Sequence, residues 1–253
     1  MQNHLFIDKT VNNTFFNHHV KKNTWYLLNF ISIEYEKALI IQHSIVDARK
    51  KNEIKKDVVL LLEHPPVFTL GRNGKLNNLT VTKDFLKKTG ITVIRVKRGG
   101  DITFHGPGQI VVYCITDLRK RKLKVADLVR FMEEIMIKTA VKWGINAARN
   151  SKNPGIWVKN NKLGSVGLAI SHGITSHGFA LNVNLELEPF NWINPCGLKN
   201  IGITSLKKEL NCNLSVEKVR ESIIENIKAV FHINLEKTSL LKLQKNINNK
   251  FTP

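Results

Sequence analysis

The chain has 253 residues, 42% of them hydrophobic, and 39 Lys and Arg stand against 20 Asp and Glu for a formal charge of +19. No apolar run approaches the roughly 20 residues that a bilayer span needs, and the first residues lack the basic-then-apolar pattern of a secretory signal. So positive a field attracts polyanions and acidic partners, but the excess is largely lysine amid many asparagines, with no arginine-rich run or RNP-like aromatic motif. That pattern argues against a nucleic-acid module. Cys114, Cys196 and Cys212 form no CxxC pair and leave an odd thiol, which suits a reducing compartment. A soluble, cytoplasmic protein is expected.

In chain order, residues 1–24 read as a polar, Asn-rich extension without a docking period. Residues 25–33 predict a strand, and 34–51 a helix, from Ala38, Leu39, Ile41, Ile45 and Val46 at helical spacing. The apolar run 57–63 is too short for a helix and predicts a buried strand, followed by the rigid turn Pro65-Pro66 and a short strand 67–70. A helix 83–89 closed by Gly90 and a strand 91–97 come next, then a basic surface loop at 119–124. Residues 125–143 carry the strongest helical period, and 155–159, 162–171 and 175–184 read as a strand meander. Residues 190–211 look irregular, Ser215 caps a helix running to Phe231, and 236–253 form a polar tail. No linker interrupts 25–235. The expectation is α+β in a single domain, with mixed and antiparallel sheets flanked by helices.

The segment from Lys97 to Leu118, KRGGDITFHGPGQIVVYCITDL, organises the chemistry. Gly99-Gly100 and Gly106-Pro107-Gly108 force sharp turns or close approaches between two apolar runs. Arg98 and His105 bracket the first turn, which composition alone allows to be an ordinary hairpin with a solvated arginine. Cys196 lies in INPCGL, between Pro195 and Gly197, at a tight turn that could aim backbone amides at one point, although a lone cysteine also serves as a small buried hydrophobe. Lys162 opens the strand KLGSVGLAI and reads equally as a solvated strand end. The histidines show no HxxxH spacing and the cysteines no CxxC, so neither a metal nor a cofactor is expected.

These strings resemble the lipoyl(octanoyl) transferases: EHPPVFTLGR from Glu63, RGGxxTxHGPGQ from Arg98, K-hydrophobic-x-S-hydrophobic-G from Lys162, HGFA from His177 followed by LNVN, and the PCG of Cys196. The resemblance covers about residues 25–210, with the motifs in the family's order. It implies the biotin/lipoate protein ligase catalytic fold and transfer of an octanoyl group from acyl carrier protein to a lipoyl-domain lysine. Carried over, Cys196 is the nucleophile that holds the acyl group as a thioester. Lys162 lowers its pKa and acts as general base. Arg98, Gly99, Gly100, Asp101, Ile102, Thr103, Phe104 and His105 bind substrate, together with Ser165, Val166, Gly167, Gly178, Phe179 and Ala180. Glycines 164, 167 and 178 would let an acyl chain lie on strand backbones; close strand packing requires the same glycines. The implied partners are octanoyl acyl carrier protein and the lipoyl domains of 2-oxoacid dehydrogenase complexes or the glycine cleavage H protein. Membrane and nucleic acid are not implied. One departure is Cys114, where the family usually has proline after the tyrosine of the GPGQ strand. The nearest alternative is an ATP-using lipoate or biotin ligase of the same fold, which forms an adenylate and needs no cysteine.

Overall fold

Val58–Leu62 (β2) is apolar and buried at every position, because the sheet it belongs to is covered on both faces. The computed structural model describes residues 23–151, 153–194, 202–245 and 247. The other elements of the larger sheet are Thr24–Asn29 (β1), Gln109–Ile115 (β6), Ala148–Arg149 (β7), Gly155–Val158 (β8), Asn161–Ser171 (β9), Ile174–Asn182 (β10), Gly202–Ile203 (β11) and Asn234–Lys237 (β12). Their order is β12-β1-β2-β6-β10-β9-β8-β7, with β11 beside β9. β1 runs parallel to β12 and β2; from β2 to β7 neighbours are antiparallel, and β11 is parallel to β9. A smaller sheet orders Thr92–Arg95 (β4), Val67–Leu70 (β3) and Ile102–His105 (β5).

Helices Val125–Lys142 (α4) and Val216–Phe231 (α6) cover one face of the large sheet, and Tyr35–Lys50 (α1) the other. Strand alternation divides the core between them. Val59, Leu61, Ile110, Val112 and Cys114 pack toward α4 and α6, while Val58, Leu60, Leu62, Val111, Tyr113 and Ile115 pack toward α1. Among the described residues, no helix is long and apolar enough to cross a membrane.

Several segments differ from their sequence reading. The first strand ends at Asn29, because Phe30 and Ile33 donate to the carbonyls of Leu61 and Glu63 as the chain turns into α1. The basic loop begins with a helical turn, Leu118–Arg121 (α3), because the Asp117 carboxylate accepts from the Arg119 and Lys120 amides. The stretch taken as irregular contains β11 and Leu206–Leu210 (α5), whose Ser205 hydroxyl caps the Lys208 amide. Among the described residues beyond 235, β12 pairs with β1, and Leu240–Gln244 (α7) buries Leu243 beside α1. Lys83–Thr89 (α2) begins and ends as read, capped by the Thr82 hydroxyl and by Gly90 in the left-handed region. Cys114 pairs with Val59 inside β6, so the strand runs unbroken through the position where proline is usual in the family.

Candidate active site

The turn between β4 and β5 is held by backbone and arginine together. Arg98 is buried; its Nη2 donates to the Thr69 carbonyl at 2.7 Å and the Thr69 hydroxyl at 2.8 Å, and its Nη1 donates to the Gly99 carbonyl at 3.0 Å. The amides of Gly71, Arg72 and Asn73 donate to the carbonyls of Asp101, Arg98 and Gly100, which locks the Gly71–Gly74 turn onto the same loop. Gly100 sits at φ +82°, and its carbonyl lies where a Cβ on Gly71 would be. Asp101 accepts from the Ile102 amide at 2.7 Å and from the Asn78 side-chain amide. Gly99 donates to the Leu168 carbonyl at 2.8 Å, so the loop rests on β9. Within β5, Phe104 packs edge-on against Phe190, whereas Thr103 pairs with Thr69 across the small sheet.

Behind this loop lies a buried set of polar rings. His64 Nε2 is 2.7 Å from the Tyr113 hydroxyl, and His64 Nδ1 is 2.7 Å from the Ile33 carbonyl. Tyr35 stacks on His105 at 5.7 Å, and Tyr113 meets His177 edge-on at 5.9 Å. Burial disfavours the charged form of each ring. It holds His64 at about 4, and it holds His177 at about 3 with help from the Arg98 charge. Burial takes His105 well below its ordinary value, and Tyr35 and Tyr113 are pushed up for the same reason. The set is therefore neutral near pH 7 beside the Arg98 cation. His177 has a left-handed backbone, φ 60°, and its amide donates to the Gln42 side chain. Its Nδ1 has no hydrogen-bond partner among the described residues.

Lys162 is the second residue of β9. Its Nζ donates to Asn153 Oδ1 at 2.6 Å and lies 5.3 Å above the Trp157 ring, so the ammonium is held in place by more than solvent. Cys196 lies outside the described residues, but both flanks of residues 195–201 are anchored. On one side the Asn194 amide donates to the Asn78 carbonyl at 2.7 Å, and Asn78 also holds Asp101. On the other, β11 pairs with Asn161 and Lys162, and the Thr204 amide donates to the Lys162 carbonyl at 3.0 Å. The described flanks, Asn194 and Gly202, are thus tied to the glycine loop and to the lysine strand.

Ser165, Val166 and Gly167 pair with Ala180, Phe179 and Gly178 across β9 and β10. The room beside these glycines is occupied by protein. A Cβ on Gly178 would lie 2.0 Å from the Val112 carbonyl oxygen, and one on Gly164 would meet the Met136 sulfur at 2.6 Å. Close packing explains both positions. At Gly167 the neighbours are Arg98 and Gly99, which joins that strand to the loop. Cys114 is buried against α4 and α6, with its thiol pushed up to about 12 by desolvation, and cannot supply a thiolate near neutral pH. Cys212 is exposed after α5. Thr69, Asn78, Gln109, Tyr113, Asn153 and Asn182 belong to the site and were not singled out from the sequence. Thr69, Gln109 and Asn182 do fall inside the EHPPVFTLGR, GPGQ and LNVN strings.

Residues 34–228 match the family model described as the lipoyl protein ligase A/B catalytic domain. A curated octanoyltransferase of Desulfotalea psychrophila is 41% identical over 81% of this chain and 93% of its own length. Another, from Caldicellulosiruptor bescii, is 44% identical over 76% and 84%. Among solved structures, a bipartite lipoate protein ligase from Thermoplasma acidophilum superposes with a TM-score of 0.69 at 15% identity, covering 88% of this chain and 89% of that one. A lipoate-protein ligase A bound with ATP gives 0.70 at 16%, covering 88% and 91%. At such identity the structures speak to the fold alone.

Proposed function

The chain belongs to the octanoyltransferases within the lipoyl protein ligase A/B catalytic-domain family, and on that premise we propose a two-step acyl transfer through Cys196. The acceptor is the lysine of a lipoyl domain and the donor is octanoyl acyl carrier protein. In the first step the Cys196 thiolate attacks the carrier thioester carbonyl. The carrier thiol departs with the proton that the Lys162 ammonium gives up, and the octanoyl group remains on Cys196 as a thioester. In the second, the acceptor amine attacks that thioester, its proton passes to the now neutral Lys162, the new amide forms, and Cys196 leaves as the thiolate. Both acyl bonds broken are thioesters and the bond made last is an amide, so the transfer runs downhill without ATP.

Lys162 serves both steps: as an ammonium it favours the thiolate, and once neutral it takes the proton of the attacking amine. The glycine loop from Arg98 to His105, with β9 at Ser165–Gly167 and β10 at Gly178–Ala180, lines the substrate side. The observation that supports this reading is that Asn194 bonds to Asn78, which holds Asp101 of the loop, while Gly202 and Ile203 pair with Asn161 and Lys162. The close relatives, at 41% and 44% identity, are octanoyltransferases, whereas the lipoate ligases share only the fold.

Mixing the enzyme with octanoyl carrier protein should add one octanoyl group, labile to neutral hydroxylamine and mapped to Cys196. Cys196→Ala should lose both the adduct and the transfer. Lys162→Met should slow alkylation of the thiol near neutral pH, as its pKa returns toward about 8.5. Lys162→Arg should keep much of that reactivity yet fail in transfer to the amine, because a guanidinium is no base at this pH. An adduct on Cys212 or on a serine would end the nucleophile assignment, and parent-like rates in Lys162→Met would end that of the lysine.

A further inference from the structure

Six side chains and carbonyls cross the interior in a line. Arg98 donates through Nε and Nη2 to the Thr69 hydroxyl oxygen at 3.3 and 2.8 Å. That oxygen is 3.4 Å from His105 Nε2, and His105 Nδ1 is 2.7 Å from Gln109 Oε1. Gln109 Nε2 donates to Asn182 Oδ1 at 2.9 Å, and Asn182 Nδ2 to the Thr204 carbonyl at 2.9 Å. Thr69, Gln109, Asn182 and Thr204 are all buried, with at most 5% of any of them exposed. Bulk solvent therefore has little access to these links.

Both ends of this line fix its direction. An arginine can only donate and a carbonyl can only accept. Asn182 must turn its NH2 toward Thr204, which leaves its oxygen for Gln109. Gln109 must then turn its own NH2 toward Asn182 and its oxygen toward His105. Hence His105 carries its proton on Nδ1, its Nε2 accepts, and the Thr69 hydroxyl donates to it while accepting from Arg98. Every link points the same way; the opposite tautomer of His105 would set a bare Nδ1 against the Gln109 oxygen and reverse the link to the Thr69 hydroxyl, so the line would lose its direction. Beyond the last link the Thr204 amide donates to the Lys162 carbonyl.

We propose that this one-directional chain is the device that registers the glycine loop against the strand pair presenting Lys162, with Thr69, Gln109 and Asn182 as positioning residues and His105 locked as its neutral Nδ1–H tautomer. Its effect on turnover rests on the acyl-transfer reading above; its orientation does not.

Two measurements test it. The 15N spectrum of the His105 ring should show Nδ1 protonated and Nε2 bare, unchanged between pH 5 and 8. An Nε2–H tautomer, or a titration in that range, overturns the chain whatever the enzyme does. For turnover, Thr69→Val removes the hydroxyl and Asn182→Asp exchanges the donating NH2 for an oxygen, each with little change of volume. Each should lower single-turnover acylation by octanoyl carrier protein about tenfold, as a small misplacement does, with half-saturation within about twofold and a folded circular dichroism spectrum. Because the two residues act through one line, the double variant should be no worse than the poorer single, and Thr69→Ser should recover the parent rate. Parent-like rates in either single variant, multiplicative losses in the double, or no recovery in Thr69→Ser would overturn the positioning role. A parent enzyme that takes no acyl group on Cys196 would instead defeat the transferase reading and leave the ring spectrum to judge the chain.

Discussion

At one end of the large sheet, next to the start of β2, the Asp57 carboxylate accepts from Arg49, from Arg121 at 2.7 Å, from the Thr116 hydroxyl at 2.8 Å and from the Asp117 amide. Toward the other end, past the start of β6, the line from Arg98 reaches Thr204 through a hydroxyl, an imidazole and two amides. The first cluster closes on a single anion. Two guanidiniums converge there and a helical turn is capped beside it, so its worth lies in stability. The second is open and directional, with its charge at one end. Its members hold one another's orientation more than they hold the fold.

This contrast is breakable. Asp57→Ala leaves the buried Arg49 and the half-covered Arg121 without their shared counter-ion, and should cost about 3–5 kcal/mol in urea unfolding. The rate of acyl transfer per folded molecule should stay within about twofold of the parent. A variant equally stable but slow would show that the Asp57 end takes part in turnover.

The next largest effect is that of pH. His64 titrates at about 4 in the folded chain, against an ordinary 6.5. Below pH 6.5 the unfolded chain therefore takes up a proton that the native one refuses, and stability falls as pH drops from 6.5 toward 4. A shift of that size is worth about 3 kcal/mol at the lower limit. His177, at about 3, adds to it in the same direction. Urea unfolding at intervals from pH 7 to 4 should show the decline, and His64→Gln should reduce it to the share that His177 sets; an unchanged slope would mean that His64 has no part in it.

The smallest effect concerns the positive field. Raising salt to physiological strength should lower kcat/KM for the intact carrier several-fold and leave kcat in place, with little response from a small uncharged octanoyl thioester. Lys207 and Lys208 line one cleft with Asn194 and Gly202, whereas Lys55 and Lys120 line another at the Asp57 end. Charge reversal at the first pair should cost more encounter rate than at the second. The opposite ranking would put the carrier at the wrong end of the sheet for transfer through Lys162.

The elements best read from the sequence are those with local punctuation. α2 has Thr82 and Gly90 at its ends, and α6 has Ser215 and a strong apolar stripe. β12, with the sequence NLEK, has no alternation to read because it is an exposed edge, and only its pairing with β1 makes it a strand. The same split runs through the site. Glycine turns announce themselves through residue type and spacing, whereas the lysine at the head of β9 stands out only through the family resemblance. Thr69, Gln109 and Asn182 contribute one or two polar atoms each, from strands far apart in the chain, and their role exists only once β3, β5, β6 and β10 stand together. The packing at Gly164 and Gly178 is of the same kind: the need for a small residue is visible, whereas what fills the space is decided by α4 and β6.

The pairing of β1 with β12 joins Thr24 to Asn234 and Leu27 to Lys237. As the chain is made, β1 emerges long before the strand that pairs with its outer flank. Until then one flank of β1 is an open row of amides and carbonyls, a template for any other strand. Molecules truncated before Asn234 would keep every residue proposed for chemistry, yet the free border of the sheet would move from the polar, exposed β12 to the more apolar β1, so self-association is expected before loss of catalysis.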